Sequence, residues 1–330
     1  MTARPMMVPG IALAIGTLLQ VNVGGQAAAG GGQNAGPAPG ETLSESYRGS
    51  QRDNVEYQKI PPVKVFDNLY YVGPGFVSVW LIPTADGLIL VDTAQEPYVD
   101  HVIDSIRKAG FDPKNIKYIL LTHGHLDHFG GASKIQTLSG ARVATLEEDW
   151  QLIDATYKTP ANPNRALGPV LKRDMVIKEG DAVTLGKTSL KVYKLPGHTP
   201  GSPSFEFTVY DGGAPHKAFI FGGPGQRNGV EGGTQFLASI NRLMREQQDV
   251  EVPVHVHSWL TTYPYPGGGI IERAQKLAQR KPGDVHPFVD NATWRAWLKI
   301  AQAGTLKYLE DEKKKAARES VKCKVRGGLT

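Results

Sequence analysis

Apolar residues along the chain follow two alternating periodicities, which predict strands interrupted by helices. From residue 63 onward, short strand-like runs are joined by turns that contain glycine, as in consecutive hairpins. Apolar residues at helical spacing then predict a helix over residues 97–109, and Gly110 is a natural stop for it. A second group of similar plan follows, so we predict an α/β protein built as a four-layer αββα sandwich. The predicted strands are 63–72, 77–83, 88–92, 117–121, 142–145, 175–185, 189–195, 204–210, 217–221 and 252–256. The predicted helices are 97–109, 130–138, 147–156, 235–247, 269–279 and 290–318.

The first 60 residues show neither periodicity. Residues 1–29 combine Arg4, an apolar stretch and a small-residue cleavage site, which together predict a secretory signal peptide. The apolar stretch is too short to span a bilayer, which takes about 20 helical residues; an uncleaved anchor is the alternative. Residues 30–60 begin with a stretch rich in Gly, Pro, Ser and Gln, so we expect a flexible leader. These features predict a periplasmic or secreted protein with no membrane attachment after cleavage.

Composition limits the other possibilities. The chain has 330 residues, 40% hydrophobic and 21% charged, and a net charge of +5, which is ordinary for a soluble globular protein. Its basic residues are scattered until the tail, so we expect no nucleic-acid partner. The single cysteine, Cys323, excludes an internal disulfide framework and a cysteine-based zinc site. We predict one main domain over residues 61–285, followed by a helical extension with a basic tail over residues 286–330.

The densest chemistry in the chain directly follows one predicted strand. After the apolar run 117–121, residues 122–131 read Thr-His-Gly-His-Leu-Asp-His-Phe-Gly-Gly. Imidazole nitrogen and carboxylate oxygen are ligands that zinc takes in proteins. Residues two apart in an extended segment point the same way, so His123 and His125 can bind one ion together. Asp127 and His128 fall where a helix should begin, so they face elsewhere and can serve a second ion. The pattern predicts a metal site.

This string resembles the signature of the metallo-β-lactamase superfamily, which stands at the end of a core strand in that fold. The resemblance runs from residue 65 to residue 257. It includes residues 86–93, which read Asp-Gly-Leu-Ile-Leu-Val-Asp-Thr, and residues 197–202, which read Gly-His-Thr-Pro-Gly-Ser. It implies two stacked sheets covered by helices, with two zinc ions at one edge of the sheets.

Two further histidines complete the expected ligand set. His198 lies in a tight Pro-Gly-His-Thr-Pro-Gly turn that can aim one side chain. Tetrahedral zinc at a catalytic site takes three protein ligands and keeps one open position, so we assign His198 to the ion held by His123 and His125. The other ion needs one more ligand. His257 stands at the end of the last predicted strand and matches the superfamily's last histidine by position, with His255 as the alternative.

One departure from the superfamily pattern narrows the comparison. Many superfamily hydrolases, among them glyoxalase II, lactonases and tRNA-processing nucleases, carry an Asp after a Gly at a strand end, where it bridges both metals. Here residues 218–225 read Ala-Phe-Ile-Phe-Gly-Gly-Pro-Gly and contain no carboxylate. This favours the layout of subclass B3 β-lactamases, which lack the bridging Asp. A Ser that commonly stands near Gly223 in B3 enzymes is also missing.

The resemblance implies a zinc hydrolase in which metal-bound hydroxide attacks a carbonyl of a small-molecule substrate, most like a B3 enzyme opening a β-lactam amide. Asp127 would be both a ligand and the catalytic residue that orients the hydroxide and carries a proton. Asp92, at a strand end, is expected to hold a ligating histidine in one tautomer. Two alternatives stay open: a zinc hydrolase of another ester, lactone or amide, and a secreted zinc-binding protein without turnover. Oligomeric state is not predicted.

Overall fold

The computed structural model describes residues 36–159, 167–257, 266 and 268–327, with side chains up to residue 318. The strands are β1 (Val63–Phe66), β2 (Leu69–Tyr71), β3 (Trp80–Thr84), β4 (Gly87–Val91), β5 (Ile116–Leu120), β6 (Arg142–Leu146), β7 (Met175–Ile177), β8 (Ala182–Leu185), β9 (Thr188–Lys194), β10 (Pro203–Asp211), β11 (Ala214–Ile220) and β12 (Val252–Val254). The helices are α1 (Leu43–Ser46), α2 (Val55–Gln58), α3 (Val99–Lys108), α4 (Leu126–Phe129), α5 (Ala132–Ser139), α6 (Glu147–Lys158), α7 (Gly229–Glu246), α8 (Ile270–Ala278) and α9 (Asn291–Gly327). The signal peptide predicted for residues 1–29 lies outside the described residues. Within the described ranges, no helix combines the length and apolar character that crossing a membrane requires.

The strands form two sheets. The first has seven strands in the order β1 to β7, antiparallel from β1 to β4 and parallel from β4 to β7. The second has five strands in the order β12-β11-β10-β9-β8, with β11 and β12 parallel. The single strand predicted over residues 175–185 is wrong, because the chain turns at Gly180, which has φ +85°. That turn sends β7 into the first sheet and β8 into the second.

The alternation of side chains along each strand builds the layers. In β4, Ile89 and Val91 face the other sheet, whereas Leu88 and Leu90 face the helices outside, as the two-residue period of a strand requires. The second sheet contributes to the same inner core Leu190, Val192, Phe205, Phe207, Ala218 and Ile220. Helices α3, α5 and α6 cover the outside of the first sheet, and α7 and α9 cover the second. The predicted αββα sandwich is confirmed.

The segment expected to be a flexible leader is folded from residue 36 onward. Helices α1 and α2 begin with side-chain caps from Thr42 and Asn54. Tyr47 is buried, and the buried Gln58 side chain donates hydrogen bonds to the carbonyls of Tyr47 and Gln51, 2.7 and 3.0 Å away. The sparse apolar residues of this segment suffice because they pack on a surface that the main domain already provides.

The C-terminal helix also differs from the prediction of an extension that starts at residue 286. Its first turns belong to the sandwich, because Trp294 and Trp297 are almost fully buried. The Trp297 ring lies 5.6 Å from that of Phe221, measured between centroids, and stacks on Trp294 at 5.5 Å. The outer layer over the second sheet therefore depends on residues close to the end of the chain.

Replacement of Trp297 tests that dependence. Trp297→Ala should lower the free energy of unfolding by about 3–5 kcal/mol, because a large buried ring is lost and leaves a cavity. Ile300→Ala on the same helix is the matched control, since Ile300 is 38% exposed. Its effect should stay below about 1 kcal/mol. Urea unfolding measures both variants. If Trp297→Ala lowered the free energy of unfolding as little as Ile300→Ala, α9 would not help to hold the second sheet.

Candidate metal centre

The ends of several strands bring the candidate site residues to one edge of the sandwich. His123 and His125 follow β5, and α4 then carries Asp127 and His128. Since β4 and β5 are parallel, the residue after β4, Asp92, reaches the same edge. His198 follows β9 and His257 follows β12.

The structure gathers these residues into two groups that could each hold a metal ion. One group is His123, His125 and His198; the other is Asp127, His128 and His257. In each group, the candidate ligand atoms lie within 4.8 Å of one another. These are the six residues that the sequence singles out as ligands, grouped as the sequence predicts.

Backbone carbonyls fix the histidines of the first group. His123 Nδ1 donates to the Gly222 carbonyl at 2.8 Å, and His198 Nδ1 donates to the Gly225 carbonyl at 2.9 Å. With the proton on Nδ1, Nε2 of each ring carries a lone pair and can bind a metal. Nε2 of His123 is buried and has no hydrogen-bond partner in the described part of the chain.

Asp92 orients the central histidine of the second group. Its Oδ2 accepts a hydrogen bond from His128 Nδ1 at 2.7 Å, and its two oxygens also accept from the backbone and hydroxyl of Thr122 at 2.8 and 2.6 Å. Burial would lower the pKa of His128, but Asp92 and Asp127 outweigh it and raise that pKa. Nε2 of His128 is another buried nitrogen without a hydrogen-bond partner among the described residues.

His257 has a different partner on its far nitrogen. Nη1 of Arg48, from the N-terminal segment, lies 2.7 Å from His257 Nδ1 and also donates to the Phe76 carbonyl at 2.9 Å. An arginine can only donate, so this contact favours the tautomer with the proton on Nε2. Sequence reasoning missed Arg48, because nothing in its local pattern signals the contact.

Burial and mutual repulsion keep most of these rings neutral. Burial lowers the pKa of His123 and His198 well below the usual value, and the positive charge that neighbouring histidines would carry lowers it further. Burial, and then the charge of Arg48, also lower the pKa of His257 well below its usual value. Burial alone would raise the pKa of Asp127, but His128, Arg48 and His125 outweigh it, so that pKa lies below its usual range. Neutral imidazoles beside a carboxylate are the protonation states that bind a divalent cation.

A buried carboxylate connects the two loops of the first group. Asp149, in the first turn of α6, accepts from the backbone N–H of Gly124 at 2.9 Å and of Ser202 at 2.8 Å. Burial raises its pKa to about 6, against hydrogen bonds from Thr199, Gly124 and Ser202. Sequence reasoning missed the role of Asp149. The signal available in the sequence was that Asp149 lies one helical turn before the apolar Ile153, so both side chains lie on the same, buried side of the helix.

His255, the alternative last ligand, lies elsewhere. It lines a small cavity with Trp294 and Trp297, and its carbonyl accepts from Trp80 Nε1 at 2.7 Å. Burial lowers the pKa of His255 to about 3, with a further contribution from Arg273. His255 therefore faces the helical layer over the second sheet, whereas His257 faces the metal centre.

Both groups border one open cavity of about 640 Å³. This volume is in the range of cavities that take small molecules. Residues of the metal centre, of the N-terminal segment and of two loops line it, among them Arg48, Arg52, Phe76, Tyr98, His125, Asp127 and Arg227. The donor set of imidazoles and one carboxylate, with the candidate ligand atoms of each group close together, fits borderline-soft divalent metals.

Asp149→Asn should weaken metal binding without unfolding the protein. An amide has one acceptor oxygen, so its NH2 group would face the N–H of either Gly124 or Ser202 and loosen that loop. We expect zinc affinity, measured by chelator competition, to fall about 10-fold to 100-fold. Asp154→Asn on the same helix is the control, because the one ion pair of Asp154 in the described part of the chain is a long contact of 3.9 Å with Arg173. Unchanged affinity in Asp149→Asn would contradict the role given to this carboxylate.

The two metal positions should differ in affinity, the one beside Arg48 being weaker. Its guanidinium repels a divalent cation and occupies the nitrogen that must carry a proton when His257 binds through Nε2. Arg48→Met should therefore tighten the weaker position about tenfold or more in a two-site zinc titration. Arg245→Met, at an exposed position outside the cavity, should change neither. Weaker binding in Arg48→Met would mean that Arg48 instead holds His257 in place.

Solved structures include close matches in fold. The chain is similar to a subclass B3 metallo-β-lactamase of Bradyrhizobium japonicum, with 30% identity over 82% of this chain and 99% of that chain and a TM-score of 0.64. It is also similar to the native metallo-β-lactamase from Legionella gormanii, with 24% identity over 77% of this chain and 97% of that chain and a TM-score of 0.67. At that lower identity, the second similarity shows the fold alone.

Sequence comparison gives relatives that this chain matches over only part of their length. A probable metallo-hydrolase of Bacillus subtilis is 33% identical over 125 residues, which are 38% of this chain and 54% of that protein. A hydroxyacylglutathione hydrolase of Cereibacter sphaeroides is 31% identical over 111 residues, which are 34% of this chain and 36% of that protein. A family model for the metallo-beta-lactamase superfamily matches residues 72–211. With the similarity along almost the whole length of the Bradyrhizobium enzyme, these matches show that the chain belongs to the metallo-β-lactamase superfamily of hydrolases, with a layout like that of subclass B3.

Proposed function

We propose that this protein is a two-zinc hydrolase that opens the amide bond of a β-lactam. The observation that carries the proposal is that two triads border one cavity. One triad consists of three histidines, and the other consists of an aspartate and two histidines. The long similarity to the Bradyrhizobium B3 enzyme supports the choice of substrate. The absence of a carboxylate in residues 222–225 supports it too, because the superfamily hydrolases with other substrates commonly place one there.

Metal ions bound in the two triads would supply an activated water and polarise the scissile carbonyl. The chain's own residues prepare the site for this chemistry. The carbonyls of Gly222 and Gly225 accept hydrogen bonds from Nδ1 of His123 and His198, which leaves Nε2 of each ring for a metal ion. Asp92 does the same for His128.

We assign to Asp127 the action on the reacting atoms. It lines the cavity as well as belonging to the second triad. Its lowered pKa keeps it ionised at neutral pH, so it can accept a hydrogen bond from a water, orient that water and receive its proton. The same carboxylate would then return the proton to the leaving nitrogen.

A hydrolase of another ester, thioester, lactone or amide is the second candidate. It is favoured by the match to hydroxyacylglutathione hydrolase and by Gly223, which offers no hydroxyl to a substrate. A zinc-binding protein without turnover is less compatible with an open cavity that reaches both triads. We also propose export through the predicted signal peptide, which would place the enzyme in the periplasm or outside the cell.

The function is tested by hydrolysis of nitrocefin and a carbapenem with the mature protein. Turnover should be abolished by EDTA and restored by zinc. A broad panel of esters, thioesters and lactones cleaved in place of both β-lactams would favour the second candidate, and two bound zinc ions with no turnover on any compound would favour the third.

His198→Ala separates the metal centre from the rest of the fold. It should lower kcat/KM by more than about 100-fold, beyond the loss typical of residues that only support a ligand. The zinc content should fall with it. His216→Ala is the control, because His216 lies on β11 outside both triads and outside the cavity. Wild-type turnover in His198→Ala would remove His198 from the reaction.

A further inference from the structure

We propose that Arg52 and Arg227 form an anion subsite beside the metal centre that binds a carboxylate of the substrate. The proposal rests on the proposed hydrolase function, since it describes what the same cavity recognises.

The two arginines reach one cavity from separate parts of the chain. Arg52 comes from the segment between α1 and α2, and Arg227 from the loop between β11 and α7. The backbone N–H of Arg227 donates to the Gly197 carbonyl at 2.9 Å, which ties this loop to the residue before His198. Both side chains are exposed and share the cavity with His125 of the first triad.

Neither guanidinium has a side-chain hydrogen bond or ion pair within the ranges that the structure describes. Other arginines of the surface do have carboxylate partners. Arg242 pairs with Glu179 and Arg280 with Asp211, at 2.8 and 2.7 Å. Arg52 and Arg227 thus keep their donors available on the side of the substrate.

The acids of the same cavity do not neutralise these arginines. Glu96 pairs with Lys134 at 3.3 Å, and Asp127 belongs to the second triad. Asp53 lines the cavity and makes no ion pair with either arginine in the described structure; its charge acts on Tyr98.

Arg48 is the third arginine that lines the cavity, and it lies beside His257 of the second triad. Arg48, Arg52 and Arg227 therefore bring three guanidinium groups to one cavity, and Arg52 and Arg227 have no ion pair in the described part of the chain. With metal ions in both triads, the field would favour an anionic ligand even more strongly.

A carboxylate is the anion that fits these groups in this fold. A guanidinium can bind a carboxylate with two parallel hydrogen bonds. The position near which B3 enzymes commonly carry Ser is Gly223, and a Cβ there would lie 2.5 Å from Ser202 Oγ and 2.8 Å from His198 Cβ. A serine side chain would have to displace these atoms, so position 223 offers no side-chain donor and the two arginines supply the donors for an anion.

Kinetics on a matched pair of substrates tests the subsite. The pair is a β-lactam with a free carboxylate and the same compound with that carboxylate as a methyl ester, and the protein is the zinc-loaded full chain. Arg52→Gln combined with Arg227→Gln should lower kcat/KM for the acid about 10-fold to 100-fold, mainly through KM. The kcat/KM for the ester should change less than about twofold, because the ester has no carboxylate whose binding the replaced arginines could lose. Equal losses on acid and ester, or no loss on either, would overturn the proposal.

Arg295→Gln is the control variant, since Arg295 is an exposed arginine that does not line the cavity. It should leave both substrates at wild-type rates. The double variant should also unfold at the wild-type temperature, because both replaced side chains are exposed.

If neither β-lactam is hydrolysed, the proposed function is contradicted but the subsite is not. Binding measurements then test the subsite directly. Succinate and inorganic phosphate are titrated calorimetrically into zinc-loaded wild type and double variant. Succinate should bind about tenfold more weakly to the variant. Equal succinate affinities would overturn the subsite, and weakening of phosphate alone would overturn the assignment to a carboxylate.

Discussion

The structure depends on holding five imidazoles against one another with their metal-binding nitrogens turned inward. The rings of His123 and His128 lie 3.8 Å apart between centroids, and those of His123 and His198 lie 4.6 Å apart. Rings this close cannot all be protonated, because their charges would repel in a buried site. Buried acceptors fix Nδ1 on three of the five rings. A divalent ion in each triad would satisfy the nitrogens that remain.

Local sequence signals were sufficient for the layers and for the four ligands of the histidine string, whereas His257 was assigned from the family resemblance with His255 left as the alternative. Two-residue and helical periodicities survive in β4 and α3 because each element packs one face or two faces against apolar neighbours. The histidine string was recognisable because its ligands are close in sequence. The strand predicted over 175–185 was wrong because a periodicity cannot show that the chain changes sheets at Gly180.

The supporting residues could not be predicted in the same way. Arg48 and Asp149 act through contacts with residues far along the chain: Arg48 with His257, Asp149 with Gly124 and Ser202. Such contacts exist only after tertiary packing. The N-terminal segment looked too polar to fold, but Tyr47 and Gln58 are buried against the main domain. That packing makes the segment part of the cavity wall.

The central claim is that each triad binds one metal ion, and anomalous diffraction at the zinc edge tests it most directly. Crystals of the zinc-loaded protein should show two peaks, one between His123, His125 and His198 and one between Asp127, His128 and His257. A single peak, or peaks outside these groups, would contradict the two-metal account.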